Sequence, residues 1–352
     1  MTSVAQPSPA RPAPTPAQTG PERILAALSA HERTAALAAA IELDLFTAIA
    51  EGAATSGALA GRLQAAERGV RILADYLVVD GFLTKHEGRY GLAPDAASFL
   101  DRRSPGYLGS IARFLASPTF TRRSERLADA VRRGGTVDED EDGMLAPGQP
   151  IWVEFARSMA PFVAQVAELV AGRVGPAQRV LDIAAGHGLF GIAVARANPR
   201  ATVVAVDWEN VLAVARENAE RAGVGERVRM LPGSAFEVPF GTGFDLVLVP
   251  NFLHHFDPVA CVGLLRRVHQ ALVPGGRAAI VEFVPDESRV APPMPAAFSL
   301  KMLAGTPGGD AYTQVELDRM CREAGFAATE LEPLPPTPES LVLARRGGNS
   351  SA

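Results

Sequence analysis

The sequence predicts an α/β protein: a mainly helical N-terminal domain, then a domain built on a mostly parallel sheet covered by helices on both faces. Three observations carry this reading. From Arg179 onward, strand-like apolar runs alternate with helical ones, the pattern that a parallel sheet with crossover helices requires. Ahead of that, from Glu22, apolar residues recur at helical spacing, with one short hairpin-like interruption. The 352 residues, 47% of them hydrophobic, also suffice to bury two separate cores.

Taken in order, "MTSVAQPSPARPAPTPAQTG" is too rich in Pro and Ala to bury surface worth its ordering cost, so residues 1–20 are expected to form a disordered tail. "ERILAALSAHERTAALAAAIELDLFTAIAEG" reads as helix and stops at Gly52. "TSGALAGRLQAAERGVRILADYLVVDGFLTKHEGRYGLAPDAASFL" adds two helices and two short strands around a Glu87-Gly88 turn, which completes a winged-helix pattern. Such modules often bind DNA, but here Glu67 and Asp75 offset Arg68 and Arg71 and leave no basic face. Further helix to about Arg133 makes 21–133 the first domain. In "GGTVDEDEDGMLAPGQP" the periodicity breaks, giving a linker over 134–150 whose acidic run lacks the spaced ligands and turn glycine of a calcium loop.

"IWVEFARSMAPFVAQVAELVAGRVG" is an amphipathic helix that opens the second domain, 151–347, with 348–352 as a tail. The strands read "RVLDIA", "ATVVAVDW", "RVRMLPG", "FDLVLVPN" and "RAAIVEFV", with helices between them. Thr313-Gln-Val-Glu316 is a capping box starting a later helix, and "FAATELEPL" and "SLVLARR" close the chain as strands. A net charge of -5 argues against nucleic acid as a partner. Two cysteines, Cys261 and Cys321, both in helical segments, give neither a disulfide framework nor a metal knuckle, which fits a reducing cytoplasm. Neither a signal sequence nor a run of about 18 apolar residues is present, so no membrane partner is expected.

The chemistry begins at "VLDIAAGHGLFG". Gly186 and Gly188 lie on the first strand-to-helix turn, the floor of the ligand crevice in an open parallel sheet, where a missing Cβ lets a ligand approach. Asp207 ends the next strand about 20 residues on, where a carboxylate can accept from both hydroxyls of a ribose. A dinucleotide fits poorly: Ala184 and Ala185 stand where glycines would approach a pyrophosphate, and Asp182 would repel one. An acid at Asp182 suits the ammonium of a methionine, so S-adenosylmethionine fits better than NAD.

"VLDIAAGHG", "VVAVDW", "GSAF", "VPNFLHHFDP", "LVPGGRAAIVEFVP" and "TPGGDAYT" resemble the successive motifs of class I S-adenosylmethionine-dependent methyltransferases. More narrowly they are similar to the caffeic acid and acetylserotonin O-methyltransferase-like family, over nearly all of Glu22 to Arg346. The resemblance implies a Rossmann-like methyltransferase domain preceded by a winged-helix dimerisation module. It implies a homodimer acting on a small molecule, the module also contributing to the partner's substrate pocket. Asp182, Ala184, Gly186 and Gly188 would hold the methionine part of S-adenosylmethionine, Asp207 the ribose and Trp208 an adenine face. Ser234, Ala235 and Phe236 would lie along the adenine, and Asn251 completes the cofactor set. Two positions depart from the family: Ala184 stands for its usual first glycine, and Ser234 for a frequent acid.

The resemblance places the general base on His254, with His255 where the family usually has Asp, and Glu282 as a flanking carboxylate. Imidazole, near 6.5, can take a proton from a phenol near 10 because the proton moves as charge develops. The family's second flanking glutamate corresponds to Ala311, beside Asp310. That keeps open a reaction without methyl transfer, such as decarboxylation or hydroxylation, or methylation at C or N. His254, His255 and Glu282 could be read as metal ligands, but adjacent histidines on one short turn converge poorly, and no metal is expected. Trp152, Phe155, Met159, Phe162, Phe298 and Met302 would line the acceptor pocket.

Overall fold

The computed structural model describes residues 20–138 and 148–348. The expected tails, apart from Gly20 and Gly348, and the acidic centre of the expected linker lie outside the described residues. The described residues form two compact units, divided between Ala93 and Pro94.

In the first unit, α1 (Glu22–Leu28), α2 (Ala30–Glu42), α3 (Leu45–Ala50), α4 (Ser56–Leu63) and α5 (Glu67–Val79) precede a hairpin of β1 (Leu83–His86) and β2 (Arg89–Leu92). Leu45, Phe46, Leu59 and Leu77 are fully buried and form its core. Glu87 (φ 48°) and Gly88 (φ 76°) both take the left-handed conformation that a two-residue type I′ turn demands. Arg71, Lys85 and Tyr90 all hydrogen-bond the Asp75 carboxylate, so cations of the helix and the wing are engaged within the unit.

The second unit begins with α6 (Pro94–Phe99), α7 (Gly109–Leu115), α8 (Pro118–Glu125) and α9 (Leu127–Arg133), followed by the long α10 (Pro150–Val174). The sequence reading groups 94–133 with the first domain, but α7 packs on α10 and Phe114 is buried between Phe120 and Phe155. Aromatic contacts with α10 thus place these helices in the second unit.

Its sheet consists of β3 (Arg179–Ile183), β4 (Thr202–Asp207), β5 (Val228–Pro232), β6 (Phe244–Pro250), β7 (Leu272–Glu282), β8 (Ala328–Pro333) and β9 (Ser340–Arg345), in the order β5-β4-β3-β6-β7-β9-β8. The first five are parallel, and β9 runs antiparallel to both β7 and β8. Strand alternation sorts the core. Leu246 and Leu248 of β6 join Val166 and Val170 of α10 and Phe190 of α11 (Leu189–Ala197) on one face. Val247 and Val249 join Leu264 of α13 (Pro258–Ala271) and Leu317 of α15 (Gln314–Glu323) on the other. Two further helices, α12 (Glu209–Arg221) and α14 (Pro293–Gly305), follow β4 and β7.

From β5 the chain crosses back to β6, beside β3. The segments after β3 and β6 then leave toward opposite faces, opening a crevice at their carboxyl ends.

Candidate active site

Two non-glycine residues in the left-handed region flank that crevice: Ala184 (φ 52°) after β3 and Asn251 (φ 51°) after β6. Such backbone is costly for a residue with a Cβ and concentrates at functional sites. Buried in the crevice wall, Asp182 accepts the Gly191 N–H on Oδ2 at 2.9 Å, while its Oδ1 meets no partner among the described residues. The Oδ1 of Asn251 is likewise buried and unpartnered. Asp207 accepts the Gly186 N–H on Oδ2 (2.8 Å) and the Trp208 N–H on Oδ1 (2.7 Å). Burial raises both acids, Asp182 to about 7 and Asp207 to about 6, against the N–H donors that lower them.

These groups fit the ligand inferred from sequence. The unpaired oxygens of Asp182 and Asn251 await donors such as an ammonium, and each Asp207 oxygen keeps a lone pair for a ribose hydroxyl. A Cβ on Gly186 would meet only the Ala184 carbonyl, 3.8 Å away, so the turn is open there. Gly188 differs from its expected role. A Cβ at that position would lie 3.0 Å from the Ala215 Cβ, so this glycine permits helix packing, and its N–H is already spent on the Ala185 carbonyl. Between them, His187 is buried, lowered to about 4, and accepts the Leu189 N–H at 3.2 Å.

Across the crevice a short 3-10 turn, Leu253–His255, is built around one carboxylate. Glu282, the last residue of β7, accepts the N–H groups of Phe252, Leu253 and His254 on Oε1, at 3.1, 2.8 and 3.3 Å. Its Oε2 accepts the His254 Nδ1–H at 2.5 Å, both side chains being buried. The carboxylate therefore fixes the turn, the ring and the tautomer, and directs Nε2 away from itself. The edge of Phe298 meets the His254 ring at 4.9 Å, and Phe283 stacks with Phe298 at 4.3 Å. Ala311 is buried, and Asp310 is held at 3.0 Å by Arg289, which also grips Glu316. Asp310 thus does not supply the second carboxylate, and Glu282 is the acid joined to His254.

The remaining expected residues divide. Trp152 lies edge-on to His255 at 5.5 Å and to Phe155 at 5.6 Å. Met159, by contrast, packs on the core beneath the sheet, because α10 turns that position toward Val163 and Val166, and Phe162 is 41% exposed. Met302 is buried in α14. Trp208 sits at the N-cap of α12 and packs on a small cluster of Ala156, Val211 and Val214, as Trp152 and Val153 also do. Ser234 accepts the Phe236 N–H, Ala235 belongs to the core, and the Phe236 ring rests on Phe256 at 4.8 Å. Sequence reasoning missed Phe283, whose signal was its place directly after Glu282 at a strand end.

Residues 159–327 match the model of the O-methyltransferase domain, and residues 23–102 that of the O-methyltransferase dimerisation domain. The tetracenomycin polyketide synthesis 8-O-methyl transferase of Streptomyces glaucescens is 29% identical over 93% of this chain and 97% of its own length. The 3-hydroxy-5-methyl-1-naphthoate 3-O-methyltransferase of Streptomyces sahachiroi is 30% identical over 83% of this chain and 86% of its own. A solved structure from Nostoc punctiforme, described as a candidate O-methyltransferase, superposes with a TM-score of 0.91 at 46% identity, over 94% of this chain and all of that one.

Proposed function

This chain belongs to the S-adenosylmethionine-dependent O-methyltransferases of the caffeic acid and acetylserotonin type, with an N-terminal dimerisation domain, and from that premise we propose that His254 is the general base that deprotonates the acceptor hydroxyl. The acceptor is a small aromatic or polyketide-like metabolite, as in the named relatives. The carrying observation is the 2.5 Å bond from His254 Nδ1 to Glu282, on a turn that the same carboxylate holds through three N–H groups.

When bound, S-adenosylmethionine supplies an electrophilic methyl group. Asp182 and Asn251 would hold its methionine end and Asp207 its ribose, leaving the protein to orient the acceptor and remove a proton. Phe298 and Phe283 offer an aromatic surface beside His254 for a flat ring. As negative charge leaves the acceptor oxygen, its proton passes to Nε2, and Glu282 stabilises the resulting imidazolium through Nδ1–H.

The test is transfer of a labelled methyl group to a library of phenols, with product analysis to distinguish O- from C- or N-methylation. His254→Gln keeps the size but lacks a basic nitrogen, so kcat is expected to fall by about 10² to 10⁴, roughly 3 to 5 kcal/mol of transition-state stabilisation. Affinity for S-adenosylhomocysteine should not change, and high pH should partly restore the variant on phenols that ionise unaided. A variant with near wild-type turnover would end the acid–base reading.

A further inference from the structure

His255 is not used in the mechanism above, yet it is buried beside the base: the two imidazole centroids are 4.3 Å apart on one turn. Trp152, Phe252 and Phe256 present ring edges around it at 5.5, 6.5 and 6.3 Å. Burial and the neighbouring His254 hold it well below the usual histidine range, so it is a neutral ring with one donor and one acceptor nitrogen. Its Nδ1 is buried and has no partner among the described residues. A polar atom left unpaired in an aromatic cage costs stability, and where that atom adjoins a reacting group the missing partner is best sought in the ligand.

We infer that His255 is a specificity-determining group of the acceptor site, hydrogen-bonding a second oxygen on the ring carbon next to, or peri to, the hydroxyl that His254 deprotonates. The inference rests on the reading of His254 as base. The two rings lie 4.3 Å apart on one turn, so the acceptor atoms they serve lie on neighbouring positions of one flat molecule. An acceptor without the second oxygen leaves Nδ1 unsatisfied in a water-poor cage, and a site built to hydrogen-bond an oxygen discriminates most strongly in that case. Trp152 lies edge-on to the ring at 5.5 Å and borders the space such an acceptor would take.

The experiment compares 2,3-dihydroxynaphthalene with 2-naphthol, rings that differ by the one oxygen. Wild-type kcat/KM should favour the diol by roughly 10- to 100-fold, beyond the twofold due to its two equivalent hydroxyls. In His255→Phe the preference should collapse while methylation of 2-naphthol persists. His255→Asn, which keeps an amide near the Nδ1 position, should retain part of it, and His255→Leu serves if the Phe variant does not fold. An undiminished preference in the apolar variants, or an equal loss on both rings, overturns the proposal. Calorimetric binding of the two rings to enzyme loaded with S-adenosylhomocysteine gives a second readout. If the wild type methylates neither ring, the binding preference alone supports or overturns the role of His255, and the oxygen-methylation reading stands or falls separately on the phenol library.

Discussion

At Asp207 a single carboxyl group serves the fold and, in the proposed cofactor site, would also serve the ligand. Its oxygens accept the Gly186 and Trp208 N–H groups, which favour the ionised form, yet burial outweighs them and lifts the group to about 6. Ribose hydroxyls bind the carboxylate, and a protonated acid loses one of those acceptors. Affinity for S-adenosylhomocysteine should therefore be lost as pH falls: the decline begins near 7, where Asp182 titrates beneath the ammonium, and reaches about tenfold from Asp207 alone by pH 5. Calorimetry from pH 5 to 8 checks this, and a flat profile would remove both acids from the cofactor site. The positions of Asp207 and Glu282 were legible because each ends a strand of recognisable pattern, and that of His254 because its turn follows another closely. The left-handed backbone of Ala184 and Asn251 was not, since neither residue type signals it. Nor was the unpaired Nδ1 of His255, a property of what surrounds the ring rather than of the residue.

The elements were legible where local chemistry decides them. Thr313 and Glu316 form the reciprocal capping box that the sequence implies, and the Glu87-Gly88 turn closes a hairpin in its expected register. Legibility ended where packing decides. Gly186 and Gly188 look alike in the sequence, but an added Cβ meets open space at the first and Ala215 at the second. Both have positive φ, so Ala costs backbone energy at either site, about 1–2 kcal/mol. Gly188→Ala must in addition push α12 off the turn, adding about 1–3 kcal/mol. Thermal unfolding of the apoprotein should therefore rank Gly188→Ala as clearly less stable than Gly186→Ala. Equal losses would mean that Gly188 does not serve helix packing. Similarly, the stripe Trp152, Phe155, Met159, Phe162 reads as one apolar face, yet the length of α10 carries its far end over the sheet, away from His254. A helical period cannot show where along a 25-residue helix the site stops and the core begins.

For the whole molecule the open question is what covers the first helix. None of the residues of α1 is buried in the chain, and Ile24, Leu25 and Leu28 are 64, 58 and 69% exposed. Three large aliphatic side chains on one short helix form an apolar patch of the kind that marks an interface. The O-methyltransferase dimerisation domain matches from residue 23, so that surface belongs to the segment whose family role is self-association. A second copy of the chain is the occupant the family match favours. The protein is therefore expected to be a homodimer at micromolar concentration by light scattering, with an interface of the large obligate class. Replacing Ile24, Leu25 and Leu28 together with serine should shift it toward monomer while leaving the far-ultraviolet dichroism of the sheet domain intact. Because the family resemblance has the module contribute to the partner's pocket, methyl transfer should fall with the dimer fraction as the variant is diluted, while cofactor affinity, which the proposed site draws from β3, β4 and β6 within one chain, should not. A monomeric wild type, or a monomeric variant with full turnover, would show that each chain completes its site alone.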